Sequence, residues 1–420
     1  MADVIVALVV LAIIFVAITS GSYAFAVIMG LIAVVMFMPT QDGIFYSCIL
    51  ENIKFLFAKK VYTENASKAK ERVDAIIDLK DIKENGLIEY GGGYFGRVVK
   101  VGQKNFGIED VEQQNIDIGY LANALKMLDG TQIADVVKID RPVNLDCFAQ
   151  DLFARLGSIK ESVDENGVKE IKENILQERI DRIDKMNNIR KQYLSDYYIV
   201  VYGKNELDLE NTTINVASEI NKCGLNTKLL GKRDGDLLAW VKPKKVEFKA
   251  NSYTVDGTQA AVFAIADYPL RVKNAWGADL YNIPNTKVVL HVKPVDKFKA
   301  IKRIDKCIGE METKQIMSEK ASEANSAETH RETMHALLDS LQTENESLLD
   351  VTLTITAYNY LDDENYKKSV RRNIMTGNFK PSNLYGLQIE GFKSSAISPV
   401  STLKTYERGI NSSSLAAVFP

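Results

Sequence analysis

The sequence predicts an α+β (mixed α/β) body with long charged helices, preceded by an N-terminal transmembrane helical hairpin. Three observations predict it. No charged residue lies between Asp3 and Asp42. Beyond that block, segments with an apolar residue at every second position alternate with segments at helical spacing. Two stretches, Glu170 to Leu194 and the region after Asp296, combine helical spacing with dense charge. The bulk composition sets outer bounds. With 46% hydrophobic and 25% charged residues the chain is neither disordered nor a multi-span transporter. A net charge of -3, from 52 basic and 55 acidic residues, argues against a nucleic-acid coat, and no direct specific nucleic-acid binding is expected.

The first element is the apolar block from Val4 to Met38, interrupted by Thr19-Ser20-Gly21-Ser22. One straight helix over it would be roughly 50 Å long, against a bilayer core of about 30 Å. A hairpin is therefore expected, with legs Val4 to Thr19 and Tyr23 to Met38 ended by Pro39, and one tilted span as the alternative. Val4, Leu11, Phe15, Tyr23, Met29 and Met38 are its candidate anchor residues, in contact with the lipid bilayer. No Lys or Arg precedes the block, which speaks against a signal peptide. The juxtamembrane basic residues Lys54, Lys59 and Lys60 follow it, and the positive-inside rule places them in the cytoplasm. That gives an expected location at a bacterial inner membrane, with the body in the cytoplasm. Ile44 to Phe57 reads as an amphipathic helix on the membrane surface.

The rest divides into a basic linker over 41–80, an α/β unit over 81–241 and an α+β unit over 242–420, which opens at Lys242-Pro243-Lys244-Lys245. In the first unit, Leu87 to Tyr90 and Tyr94 to Val101 are strands around Gly91-Gly92-Gly93. Helices are expected over Asp110 to Leu128, Leu145 to Leu156, Glu170 to Leu194 and Glu210 to Cys223. Ala134 to Ile139, Tyr197 to Tyr202 and Thr227 to Leu230 are strands. In the second unit, Ala261 to Ala266 and Lys287 to Val292 are strands. A long helix starts near Asp296 with Phe298, Ile301, Ile304, Ile308 and Met311 on one stripe. Ser318 to Thr333 lacks any large apolar residue, so it reads as an exposed tip or hinge before the stripe resumes at Met334. Val351 to Tyr358 alternates Val351, Leu353, Ile355 and Ala357 with Thr352, Thr354 and Thr356, the pattern of a strand. A helix over Asp363 to Met375 and a strand over Leu384 to Ile389 follow. No internal repeat is visible.

Catalytic motifs are sparse. The cysteines Cys48, Cys147, Cys223 and Cys307 are scattered, with no CxxC. His330 and His335 lack the i, i+4 spacing of a zinc helix. Gly91-Gly92-Gly93-Tyr94-Phe95-Gly96 matches GxGxxG, but strand-like residues follow where a dinucleotide loop needs a helix. No GxxxxGK[ST] occurs, so the chain has no recognisable grip on a nucleoside triphosphate. No catalytic, cofactor-binding or metal residue is expected. Candidate partner surfaces are Glu323, His330 and Arg331 at the polar tip, and the basic cluster Lys367, Arg371 and Arg372.

One family shares the order of features. Tyr268-Pro269, Trp276 and Asn282-Ile283-Pro284 lead into Val288-Val289-Leu290-His291-Val292, Pro294 and a long charged helix. The end, Gly409-Ile410-Asn411-Ser412-Ser413-Ser414-Leu415-Ala416-Ala417-Val418-Phe419-Pro420, resembles the segment before the motor domain of the CagE/TrbE family, the conjugation ATPases of type IV secretion systems. The resemblance spans roughly Ile82 to Pro420. The apolar hairpin with Lys59-Lys60-Val61-Tyr62 resembles the small PrgI-like two-helix inner-membrane subunit, which some systems fuse to the ATPase. No ATPase residue maps onto these positions. ATP and Mg are implied only if a motor domain follows Pro420. The resemblance implies a membrane-anchored scaffold that docks the motor to inner-membrane subunits and to other copies of itself. A stand-alone membrane-tethered adaptor without ATPase activity is the alternative.

Overall fold

The computed structural model describes residues 12–40, 43–104, 106–143, 145–161, 168–188, 192–234, 243–269, 272–318, 321–343 and 346–418. The body is built on one 14-stranded antiparallel sheet. Its strands are β1 (Val61–Thr63), β2 (Leu79–Ile82), β3 (Ile88–Tyr90), β4 (Phe95–Val101), β5 (Ile133–Pro142), β6 (Tyr193–Gly203), β7 (Thr227–Leu229), β8 (Lys245–Phe248), β9 (Tyr253–Val255), β10 (Thr258–Asp267), β11 (Thr286–Pro294), β12 (Leu348–Tyr358), β13 (Lys380–Ser382) and β14 (Arg408–Asn411). Their spatial order is β1-β8-β9-β10-β12-β11-β5-β6-β4-β3-β2. β13 pairs β10, β14 pairs β12 and β7 pairs β4 off that path.

This order contains an internal duplication that the sequence hides. Four strands of the first half lie in the order β7-β4-β6-β5, and four of the second in the order β13-β10-β12-β11. Numbered along each half, both read 4-1-3-2, the ferredoxin-like βαββαβ arrangement. In each half a helical hairpin is inserted between the second and third strands. In the first half it is α2 (Asp146–Glu161) with α3 (Val168–Asn188). In the second it is α5 (Lys297–Met317) with α6 (Ala321–Thr343). The halves join through their second strands, β5 and β11, which pair antiparallel from Ala134↔Val292 to Ile139↔Lys287. Two like edges meeting this way create a pseudo-two-fold axis near Val136-Val137 and Val289-Leu290. The strand over Val351 to Tyr358 is longer than expected and central, so its Thr352, Thr354 and Thr356 face is buried as completely as its apolar face.

Both faces of the sheet are covered. On one lie α1 (Val111–Lys126), α4 (Glu206–Lys222), α7 (Glu364–Thr376), the turn Ala278–Tyr281 and the short α9 (Ser412–Ala416). On the other lie α8 (Gln388–Ser395), Ile76-Ile77 and the stretch from Ile397 to Tyr406. Helix starts follow local chemistry. Asp110, Asp296 and Asp363 each accept a backbone N–H of their own first turn, the ordinary N-cap bond. Ser318, with extended backbone, closes the C-terminal end of α5, and α6 begins at Ala321. The apolar residues that resume, Met334, Leu337 and Leu338, pack back onto Ile304 and Ile308.

Several expectations need correction. The N-terminal block forms helix over residues 12–19 and Tyr23–Met36, turning at Gly21 with φ +78. The second helix has 14 residues, about 21 Å of rise, well short of a bilayer core of about 30 Å. Among the described residues no helix is long and apolar enough to cross a membrane. The transmembrane hairpin, and the inner-membrane location drawn from it, therefore lose their ground. Of the expected anchor residues, Val4 and Leu11 lie outside the described residues. Phe15, Tyr23 and Met38 are exposed and Met29 is half-buried. The helix Phe45–Phe57 does form, but its Phe55 packs into the body core rather than facing lipid. Leu384 to Ile389 is not a strand. Leu384 and Gly386 adopt positive φ, and α8 follows from Gln388. Leu194, expected at the end of a helix, belongs to β6, and α3 is described over Val168–Asn188.

Candidate functional site

The two stretches that carry the family resemblance are far apart in sequence and meet in space. Trp276 stacks on Phe379 with ring centroids 5.5 Å apart, and Tyr268 packs edge-on to both rings. The Trp276 indole N–H donates to the Ser414 carbonyl at 2.8 Å. The backbone N–H groups of Trp276 and Gly277 donate to Ala417 and Val418. Position 277 requires glycine, since a Cβ there would lie 2.4 Å from the Val418 carbonyl oxygen. The same C-terminal segment is gripped by a buried carboxylate. Glu346 accepts from Ser412 Oγ at 2.5 Å, from the Ser413 N–H at 3.2 Å and from Lys126 at 3.1 Å. Burial alone would raise the Glu346 carboxyl, but those donors outweigh it and hold it below the usual range. β12, α1 and α9 are thereby locked into one corner.

The expected partner surfaces fall on two separate elements. Glu323, His330 and Arg331 lie along the N-terminal half of α6, on the arm. Lys367, Arg371 and Arg372 lie on α7, which is fixed to the sheet by Val370 and Ile374. Lys367 is paired with Glu364 at 2.5 Å, and Arg371 donates to Tyr360 Oη at 3.0 Å. The basic residues expected beside a membrane also have partners within the chain. Lys54 pairs with Glu51 and Lys59 with Glu71, each at 2.6 Å, and Lys60 sits over the Phe55 ring. The glycine turn is equally local: the Gly91 N–H donates to the Asp78 carbonyl, and a Cβ at Gly91 would collide with the Asp78 carboxylate.

What sequence reasoning missed is a set of charged side chains inside the sheet. At the junction of the halves, Asp135 is buried and accepts from Tyr202 Oη at 2.6 Å, while His291 Nδ1 lies 2.6 Å from its other oxygen. Lys138 is 1% exposed. Its amine donates to Asp140 at 2.5 Å, the Ile283 carbonyl at 2.8 Å and Thr286 Oγ1 at 3.1 Å. Asp140 is completed by Ser195 Oγ and the Thr286 N–H. This network ties β5 and β6 to the turn that enters β11, and so binds one half to the other. Lys287, 8% exposed, sits on the opposite face. The one available signal was the presence of Asp135, Lys138 and Lys287 within strand-period segments, where a charge on a doubly covered strand needs a partner.

Among the described residues no group of three or more His, Cys, Asp or Glu side chains is placed to hold a metal. Compared with protein-family models and with curated proteins, the chain matches none.

Proposed function

We propose that the chain is the non-catalytic docking region of a type IV secretion ATPase of the CagE/TrbE kind, working in conjugative DNA transfer. In this reading it holds partner subunits of the machine and neighbouring copies of itself. These 420 residues contain no phosphate-binding loop, so ATP hydrolysis is assigned to a motor elsewhere. The observation that supports the reading is the corner: Tyr268, Trp276 and residues 409–418, the stretches through which the sequence resembles that family, form one packed unit. The α5–α6 arm, with its polar far half, is the natural element for contacting a partner.

The test is transfer from a donor cell. Deleting the gene should bring transfer to background, and restoring the chain should rescue it. The paired reversal Glu323→Lys with Arg331→Glu should leave the fold intact and lower transfer. Wild-type transfer from the deletion strain would refute the reading, as would micromolar ATP binding by the purified chain.

A further inference from the structure

A cavity of about 360 Å³ opens at one end of the central strands, within the size range of small-molecule sites. It lies where β5 and β12 end and where β6, β10 and β11 begin. Apolar and aromatic groups form part of its wall, among them Ile77, Ile139 and Phe392. Lys287 lines it. Among the described residues nothing is hydrogen-bonded or ion-paired to the Lys287 amine. Two carboxylates also line the cavity, and both are committed. Asp140 is taken by Lys138, Ser195 and Thr286, and Asp256 accepts the N–H groups of Lys244 and Lys245. The uncommitted charge at the site is therefore positive. Tyr193 and Tyr358 line the same space, and a tyrosine hydroxyl can donate a hydrogen bond.

We propose that this cavity binds a small organic anion, a carboxylate or phosphate monoester with an apolar or aromatic body, whose acid group pairs with Lys287. A buried ammonium without a partner is unfavourable, and an incoming anion would supply the missing partner. The apolar wall would take the rest of the ligand. Burial pushes the Lys287 amine down to about 8, with Asp135 opposing the shift. A bound anion would draw it back up and keep it protonated. The site owes nothing to the secretion reading and stands or falls separately.

The experiment uses the full chain with benzoate, phenyl phosphate and neutral benzyl alcohol as probes at about 10 mM, suited to millimolar ligands. Acetylation of lysines by acetic anhydride is followed peptide by peptide, with exposed Lys306 as reference. One or both anions should slow acetylation of Lys287 by about tenfold, the occupancy effect of about 10 mM ligand at a Kd of about 1 mM, and leave Lys306 unchanged. Which anion protects better tells a carboxylate site from a phosphate site. Benzyl alcohol should protect much less. No protection by either anion, or equal protection by the alcohol, overturns the proposal. Calorimetry of Lys287→Met should lose the binding heat of the protecting anion; retained binding overturns it too. Should that variant fail to fold, the wild-type labelling decides alone.

Discussion

Two buried lysines, one step apart on the ladder that joins the halves, are treated in opposite ways. Lys138 pairs across the ladder with Val288, and Lys287 with Ile139, so their side chains leave opposite faces of the sheet. Lys138 finds a carboxylate, a carbonyl and a hydroxyl, which use all three of its donors. Lys287 finds none and lines a cavity. A buried charge that is fully bonded holds structure together. One left open beside empty space costs stability and is available to a ligand.

The largest expected effect comes from breaking the satisfied side. Lys138→Met should cost about 3–5 kcal/mol, since Asp140 stays buried without its counter-charge; urea unfolding measures it. On the open side the sign should reverse. Lys287→Met should raise stability at neutral pH by about 1–2 kcal/mol by removing an unpaired buried amine. A comparable loss in both variants would erase the distinction between them.

The pH dependence sharpens the same contrast. The Lys287 amine titrates near 8 when folded and at its ordinary 10.5 when unfolded. Between those values the unfolded state binds more protons, so this group makes stability rise with pH across that window. Asp135, Asp140, Asp256 and the cavity tyrosines face the same region, so the measurable quantity is the difference between wild type and Lys287→Met. Wild type should gain on Lys287→Met from pH 8 to 10.5, and a constant difference would show that Lys287 does not titrate there. The smallest effect is Thr356→Val, which removes a buried hydroxyl beside the Tyr253 phenol at nearly constant shape. It should cost no more than ~1 kcal/mol, read from the thermal midpoint.

Much of the element list was legible because local chemistry decides it. The helices expected to open at or near Asp110, Asp296 and Asp363 do so, and the structure adds that each of these aspartates is the N-cap. In the polar stretch from Ser318 to Thr333, α5 has ended at Met317 and α6 runs from Ala321, so most of that stretch is helix. The duplication was not legible, because its halves differ in their first crossover: the 16 residues of α1 on one side, the 4-residue turn Ala278–Tyr281 on the other. Only strand pairing exposes the likeness. The β8–β9 hairpin escaped because it is short and begins at a Lys/Pro-rich connector. Leu384 to Ile389 failed because a short apolar run does not distinguish strand from helix, and the positive φ at Leu384 carries no sequence mark. The aromatic corner was legible as a motif. The cavity was not, since it collects residues from six strands, the Ile77 turn and α8.

The position of the two arms has a mechanical consequence. α2 follows β5 and α5 follows β11, and these strands run antiparallel. The arms therefore leave the sheet at opposite ends. Tension applied between them would pull β5 and β11 past each other lengthwise. Six residue pairs of that ladder would then carry the load in parallel and fail together, whereas a peeled hairpin yields one bond at a time. A chain arranged this way passes a pull from one arm to the other as a stiff strut.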